Sequence, residues 1–484
     1  MRRPAAVLVT VLAAVANPAR ADESPAERLA GRALGDTPLL GDLRELTDGV
    51  GGRPTGSPAN ERAVAWAVAK LKGLGLEVKT EPVPIPALWL GGKAEATCTA
   101  PESFALSIAA APFSASTAAG GLEARLVDAP DWHHPPAAAK GAVMLVGIDE
   151  MKGLGDLFAE YLRNKPLADA AGKAGAAALL LESSHPRGLL YRHPVSFDGI
   201  LPYPVAVVSR EQAARLRRLM AKGEVRVRLA IENQIGPAYT AQNVVAELRG
   251  REKPDEIVVI GAHLDSWDLG TGANDNGVNA AMVIDVARGF KALGTAPRRT
   301  VRFVLWTGEE QGMYGSAGYV KSHAAELDKH IVSITFDIGS GRTLGFFANG
   351  RPELIKAVDE ALRPVQGLGP FTQVPDLIDG TDNFDFLLSG VPNLVANQDA
   401  TPYLPDYHAS SDTFDKVDPR EAQSNGAIAA ALVWYFAERA DRPARRQTKA
   451  EVDKLLHTGD FVEQMKAFGQ WGDWVAGKRG VFGK

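Results

Sequence analysis

The sequence holds a single cysteine, Cys98, in 484 residues. One thiol excludes an intrachain disulfide and any zinc or iron–sulfur centre built from several cysteines. Cationic residues are not in surplus either. Lys and Arg number 53 against 58 Asp and Glu, a formal charge of −5. No basic footprint is available for a nucleic-acid backbone, so that partner is excluded. The apolar run Ala5 to Ala16 falls short of the ~20 residues a spanning helix needs, and no later stretch reaches them. There is no N-x-S/T acceptor, no G-x-S-x-G elbow and no H-E-x-x-H helix. A serine hydrolase of the elbow type and a gluzincin are thereby disfavoured. What is present is an average soluble composition, 45% hydrophobic and 23% charged, with nine histidines. Any metal site must therefore be made from His, Asp and Glu.

Arg2 and Arg3, the apolar run and Ala19-Arg20-Ala21 form the three parts of a secretory signal peptide over residues 1–21. The mature chain is then expected to be secreted or periplasmic, with no membrane contact after cleavage. Length alone suggests about three domains. Ser57-Pro58 opens an amphipathic helix ending near Leu74, and Leu76 to Thr80 reads as a strand. From Glu95 to Gly236 small residues, Pro and Gly become dense around short apolar strands, the pattern of a separate small α/β module. Asp169 to Gly175 reads there as a short helix. Beyond it strands alternate with helices: Ile257 to Ala262, Thr300 to Trp306, Ile331 to Phe336 and Asn393 to Ala396 as strands, Val278 to Phe290, Tyr314 to Ala325 and Glu421 to Ala437 as helices. This order predicts an α/β fold with a mixed, largely parallel central sheet flanked by helices. A basic break, Arg439 to Thr448, precedes a last helical stretch, Lys449 to Phe468.

The chemistry lies where the apolar strands end. His263 follows the first, with Asp265 two residues on, placed to accept a hydrogen bond from the second imidazole nitrogen. By itself H-x-D also fits a structural histidine. Gly270 to Gly277 is glycine-rich, but Asp275 would repel a phosphate, so a nucleotide loop fails. The loop either presents Asp275 or caps the next helix. Glu309 and Glu310 follow Trp306, and adjacent glutamates point different ways. Asp337 follows Phe336, and His408 lies in the polar loop Asp406 to Thr413. Carboxyl ends of strands are where open α/β sheets bind ligands. His263, Asp275, Glu310, Asp337 and His408 form a set that suits borderline cations such as Zn²⁺. Two such ions would be neutralised by three carboxylates and one hydroxide.

GAHLDSWD (Gly261–Asp268), GTGANDNG (Gly270–Gly277), WTGEEQGMYGS (Trp306–Ser316), FDIGSG (Phe336–Gly341) and DYHASSDT (Asp406–Thr413) resemble the M28 zinc peptidases, and within them the secreted carboxypeptidase Q-like group. GGRPTGSPANERAVAW (Gly51–Trp66) is similar to the family as well. The resemblance implies a zinc aminopeptidase-like (phosphorylase/hydrolase-like) fold. It implies a catalytic domain over 22–94 and 237–445, a protease-associated-type insert at 95–236 and a helical tail at 446–484. It also implies two zinc ions per chain, with His263 and Asp337 on one, Glu310 and His408 on the other and Asp275 bridging. Glu309 would be the general base and Asp265 the residue orienting His263. Tyr407 and Asp382 are candidate substrate contacts. Two positions depart from the family pattern: Asn276, where Asp is frequent, and Asn279, where Gly is frequent. The implied reaction is hydrolysis of short peptides or dipeptides from a free terminus, by a monomer or homodimer. A zinc-dependent glutaminyl-cyclase-type acyl transferase and a non-catalytic ectodomain of the same fold are the alternatives.

Overall fold

The segment Lys253–His263 is rich in Val and Ile because both faces of its strand are covered. Val258, Ile260 and Ala262 face one layer of helices, while Ile257 and Val259 face the other side. Burial of each large aliphatic side chain contributes about 1.5–3 kcal/mol. The structure, a computed structural model, describes residues 23–482. The signal-peptide expectation lies outside them.

The central sheet has seven strands in the order Glu77–Ile85, Tyr239–Leu248, Arg299–Trp306, Lys253–His263, His330–Thr335, Asn393–Gln398 and Thr343–Phe347. The four strands from Arg299–Trp306 to Asn393–Gln398 are mutually parallel, and the remaining strands pair antiparallel at the two edges. The fold is thus mixed α/β with a parallel centre. One face is covered by Pro25–Ala33, Leu39–Arg44, Val278–Ala292 and Pro419–Glu438. The last of these is Ala-rich and buries most of its length, and Asp418 caps it by accepting from Arg420 N and Glu421 N.

A second sheet of eight strands is built entirely from residues between Ala94 and Ile231. Its middle strands, Leu122–Asp128, Val143–Val146, Ala178–Glu182 and Val205–Val208, are parallel. The chain leaves the central sheet at Ile85 and returns at Tyr239, and these two residues are paired across the edge.

Three elements differ from the sequence reading. The helix expected at Asp169 to Gly175 is far longer, Leu154–Lys173, and runs through Pro166. Its start is fixed by Asp156, whose carboxylate accepts from Lys152 N and Gly153 N. The terminal helix is broken into Lys449–Leu456 and Phe461–Ala467, because Gly459 adopts φ 60° between them. Tyr314 to Ala325 shortens to Tyr314–Ser322 and tightens into a 3-10 turn over Ala324–Lys329. Among the described residues no helix is long and apolar enough to cross a membrane.

Candidate metal centre

The four parallel strands end on one edge of the sheet, and each delivers polar side chains there. His263 closes its strand and pairs in register with Trp306, which leads to Glu309 and Glu310. Thr335 leads to Asp337, and Gln398 leads through a turn-rich loop to His408. Asp275 arrives from the glycine-rich loop. The five side chains expected as ligands meet as two groups. His263, Asp275 and Asp337 have donor atoms within 4.8 Å of one another, and so do Asp275, Glu310 and His408.

Asp275 belongs to both groups through different oxygens. His263 Nε2 lies 3.1 Å from Asp275 Oδ1 and 2.9 Å from Asp337 Oδ1. His408 Nε2 lies 3.3 Å from Asp275 Oδ2 and 2.9 Å from Glu310 Oε2. Both imidazoles donate from Nδ1 to a main-chain carbonyl, His263 to Asp265 O at 3.0 Å and His408 to Arg192 O at 2.7 Å. That leaves each Nε2 turned to the carboxylates, the tautomer a metal ligand needs. Glu310 Oε1 is buried with no hydrogen-bond partner. A bound cation would satisfy that oxygen, so the residues fit a metal on their own chemistry.

Electrostatics in the metal-free protein reflect the crowding. Burial opposes charge on His408, but Glu310 and Asp275 outweigh it and raise its pKa to about 10. His263 is likewise held above its ordinary value by Asp337 and Asp275 against burial. Burial pushes Asp337 up to about 7, and raises Glu309 well above the carboxylate range.

Glu309 lines the crevice beside the two groups, with Oε2 4.0 Å from His263 Nε2. Asp265 departs from its expected contact. Its carboxylate stands 3.7 Å from His263 Nδ1, and the main-chain carbonyl takes the hydrogen bond instead. The reason is that the carboxylate is engaged elsewhere. It accepts from Thr55 Oγ1 at 2.8 Å and from Glu309 N at 3.4 Å, so it ties the Glu309 turn to the Thr55 loop. Asp382 is fully buried and is not among the residues lining the crevice, which its neighbour Gly380 does line. Tyr407 does line it. Its ring stacks on His408 with centroids 3.7 Å apart, and its hydroxyl is 2.6 Å from that of Tyr161.

Several residues had no role from sequence. Arg53, fully buried, donates from Nε to Leu264 O (2.5 Å) and from its two terminal nitrogens to Thr271 O (2.7 Å) and Gly272 O (2.9 Å), bracing the His263 loop against the glycine-rich loop. Asp412 accepts from Ala273 N, Asn274 N and Asp275 N at 3.1, 2.7 and 3.1 Å. Burial raises its pKa to about 7. A side chain on Gly270 would fall 2.7 Å from both Ala409 O and Asp412 O, so only glycine lets these loops close. Tyr403 donates to Asp275 Oδ2 at 2.8 Å. The two departures from the family pattern touch each other: Asn279 Nδ2 donates to Asn276 Oδ1 at 2.7 Å, and Asn276 Nδ2 donates to Asp337 Oδ1 at 2.7 Å. Arg53 and Asp412 stand in polar motifs noted above, and a buried charge near glycines was their only signal. Tyr161, Phe197 and Phe468 roof a crevice of about 30 Å³ and left none.

Residues 243–433 match the family model of peptidase family M28. Carboxypeptidase Q of Xenopus laevis is 30% identical over 389 residues, covering 78% of this chain and 81% of its own. The chain belongs to peptidase family M28. A peptidase M28 precursor from Shewanella amazonensis superimposes on this M28 peptidase with a TM-score of 0.81 at 30% identity, over 88% of this chain and 98% of that one. The Bacillus subtilis zinc aminopeptidase shares the fold, with a TM-score of 0.67 at 20% identity over 85% of this chain and 97% of that one. The enzyme is therefore a metallopeptidase acting on peptides.

Proposed function

We propose that the enzyme is a zinc-dependent exopeptidase that hydrolyses short peptides at a two-ion centre. The observation that carries this reading is the Asp275 carboxylate, whose two oxygens face two separate His-carboxylate groups. His263 and Asp337 would hold one ion, Glu310 and His408 the other, and Asp275 both. Zinc is favoured by the His and carboxylate donors and by the zinc of the Bacillus subtilis fold relative. Bound ions supply an acidified water and an electrophile for the carbonyl oxygen.

The chain's own residues do the rest. Glu309 takes a proton from the attacking water and returns one to the leaving amine. Asp265 holds the Glu309 main chain in place through its N–H. Tyr407, neutral because burial raises its pKa well above the usual range, presents a hydroxyl to the crevice as a donor toward substrate. We further propose that residues 95–236 are a protease-associated-type insert and that residues 1–21 direct export, supported by the separate eight-stranded sheet and by the charge pattern of the amino terminus.

Metal analysis of purified enzyme, paired with hydrolysis of dipeptides carrying free or blocked termini, tests the reading. Two zinc ions per chain and cleavage that requires one free terminus are expected. Cyclisation of amino-terminal glutamine without hydrolysis would overturn it.

A further inference from the structure

His408 is gripped by a segment that belongs to the eight-stranded sheet region and not to the central sheet. Tyr191 forms an antiparallel bridge with Ala409. Arg192 N donates to His408 O at 3.1 Å, and His408 Nδ1 donates back to Arg192 O at 2.7 Å. Ser410 N donates to Leu190 O at 2.9 Å on the next rung. One residue thus fixes both the main chain and the imidazole of His408, which stands in the left-handed region at φ 54°.

Arg192 is itself anchored. Its guanidinium is buried, donates to Ala110 O at 2.6 Å and forms a two-point ion pair with Asp268, with Nη2 to Oδ2 at 3.0 Å. It lies over the Trp89 ring, 5.6 Å from the centroid. Gly91 allows this packing, because a side chain there would collide with the guanidinium. Asp268 closes the loop that begins at His263. The side chain of Arg192 therefore holds the His263 loop while its main chain holds His408.

We propose that Arg192 is a positioning residue for one of the two ions, and that its ion pair with Asp268 sets how tightly His408 binds. This rests on the two-ion reading given above. Replacing Asp268 releases the guanidinium fork. The Arg192 carbonyl then loses its fixed place, and the imidazole is free to turn away from its ion. Loss of such an orienting partner lowers metal affinity about 10–100-fold.

The test is a zinc titration of metal-free wild type, Asp268→Asn and Arg192→Lys against a chromophoric chelator, with unfolding curves to confirm a folded state. Lysine keeps the charge but loses the fork. Wild type is expected to take two ions. Both variants are expected to bind one ion as wild type does and the other about 10–100-fold more weakly. His408→Ala alone and combined with Asp268→Asn completes the cycle. The double variant should bind its remaining ion as His408→Ala does. Equal weakening of both ions, or no weakening, overturns the positioning role while leaving the two-ion reading intact. A wild type that takes fewer than two ions removes that reading, and this inference with it. Should Asp268→Asn fail to fold, Arg192→Lys and its own double variant with His408→Ala decide the question.

Discussion

Glu309 and Glu310 show how neighbouring residues of one type divide their work. Glu310 points into the His408 group, while Glu309 lines the crevice beside both groups. Glu309→Gln should keep the metal content of wild type and lower kcat about 10²–10⁴-fold, the usual size of general-base catalysis. Metal analysis and steady-state rates on one preparation check this, and a kcat near wild type would remove Glu309 from the proton pathway. Asp412 holds the glycine-rich loop through its two carboxylate oxygens and through its main-chain carbonyl, which accepts from Thr271 N at 2.7 Å. Asp412→Asn turns an amide NH2 toward at least one of the three N–H groups it now accepts. Leaving a buried donor unmet costs about 1–3 kcal/mol. A denaturant midpoint identical to wild type would contradict that account. At this scale the sequence is readable where a polar side chain follows an apolar strand, as at His263, Glu310 and Asp337. It is silent where main chain does the work. Nothing in the letters Asp265 or Arg192 says that a carbonyl oxygen will hold an imidazole.

Elements place these residues, and their lengths decide what reaches the crevice. Four parallel strands ending together create the edge on which the ligands gather, and alternation of Val and Ile faces makes those strands legible. The helix Leu154–Lys173 was legible only in its last part, because Pro166 looks like a boundary. The proline removes one ladder bond, yet burial of Leu157, Leu167, Ala168 and Ala171 carries the helix across it. Without its first half, Tyr161 would have no route to Tyr407. The loops need bracing of their own. Arg53 spans three carbonyls of two loops, and a lysine ammonium lacks the planar fork to meet them together. Arg53→Lys should weaken zinc binding and lower the unfolding midpoint in one step. Lower stability with unchanged zinc affinity would show that the brace serves the fold alone.

For the molecule as a whole, the centre ties folded stability to pH, because its imidazoles and carboxylates are held away from their ordinary pKa values. His408 carries a folded pKa near 10 in the metal-free state, against about 6.5 when unfolded. Its contribution to stability is complete below about pH 6.5 and lost as pH rises toward 10. Asp337 is raised by burial to about 7, against about 3.9 unfolded, so it too favours the folded state at lower pH. Metal-free protein should therefore melt higher near pH 6 than near pH 9. Zinc binding needs both imidazoles deprotonated, so the stabilisation added by zinc should grow as pH rises. Calorimetry with chelator and with zinc at both pH values tests this, and parallel pH trends for the two forms would count against it.

The pairing of Ile85 with Tyr239 has a consequence for how such a protein is taken apart. Paired residues on neighbouring strands lie about 4.5–5.5 Å apart, so a tight turn could join them and delete the whole intervening region without breaking the central sheet. By connectivity that region is a detachable cassette. The same excision would strip His408 of the carbonyl that aims it and take Tyr161 and Phe197 from the crevice roof. The chain is modular in its wiring and indivisible in its chemistry, so a truncated enzyme joined at Ile85 and Tyr239 would keep its central sheet and all five ligand residues yet lose the carbonyl that orients one of them.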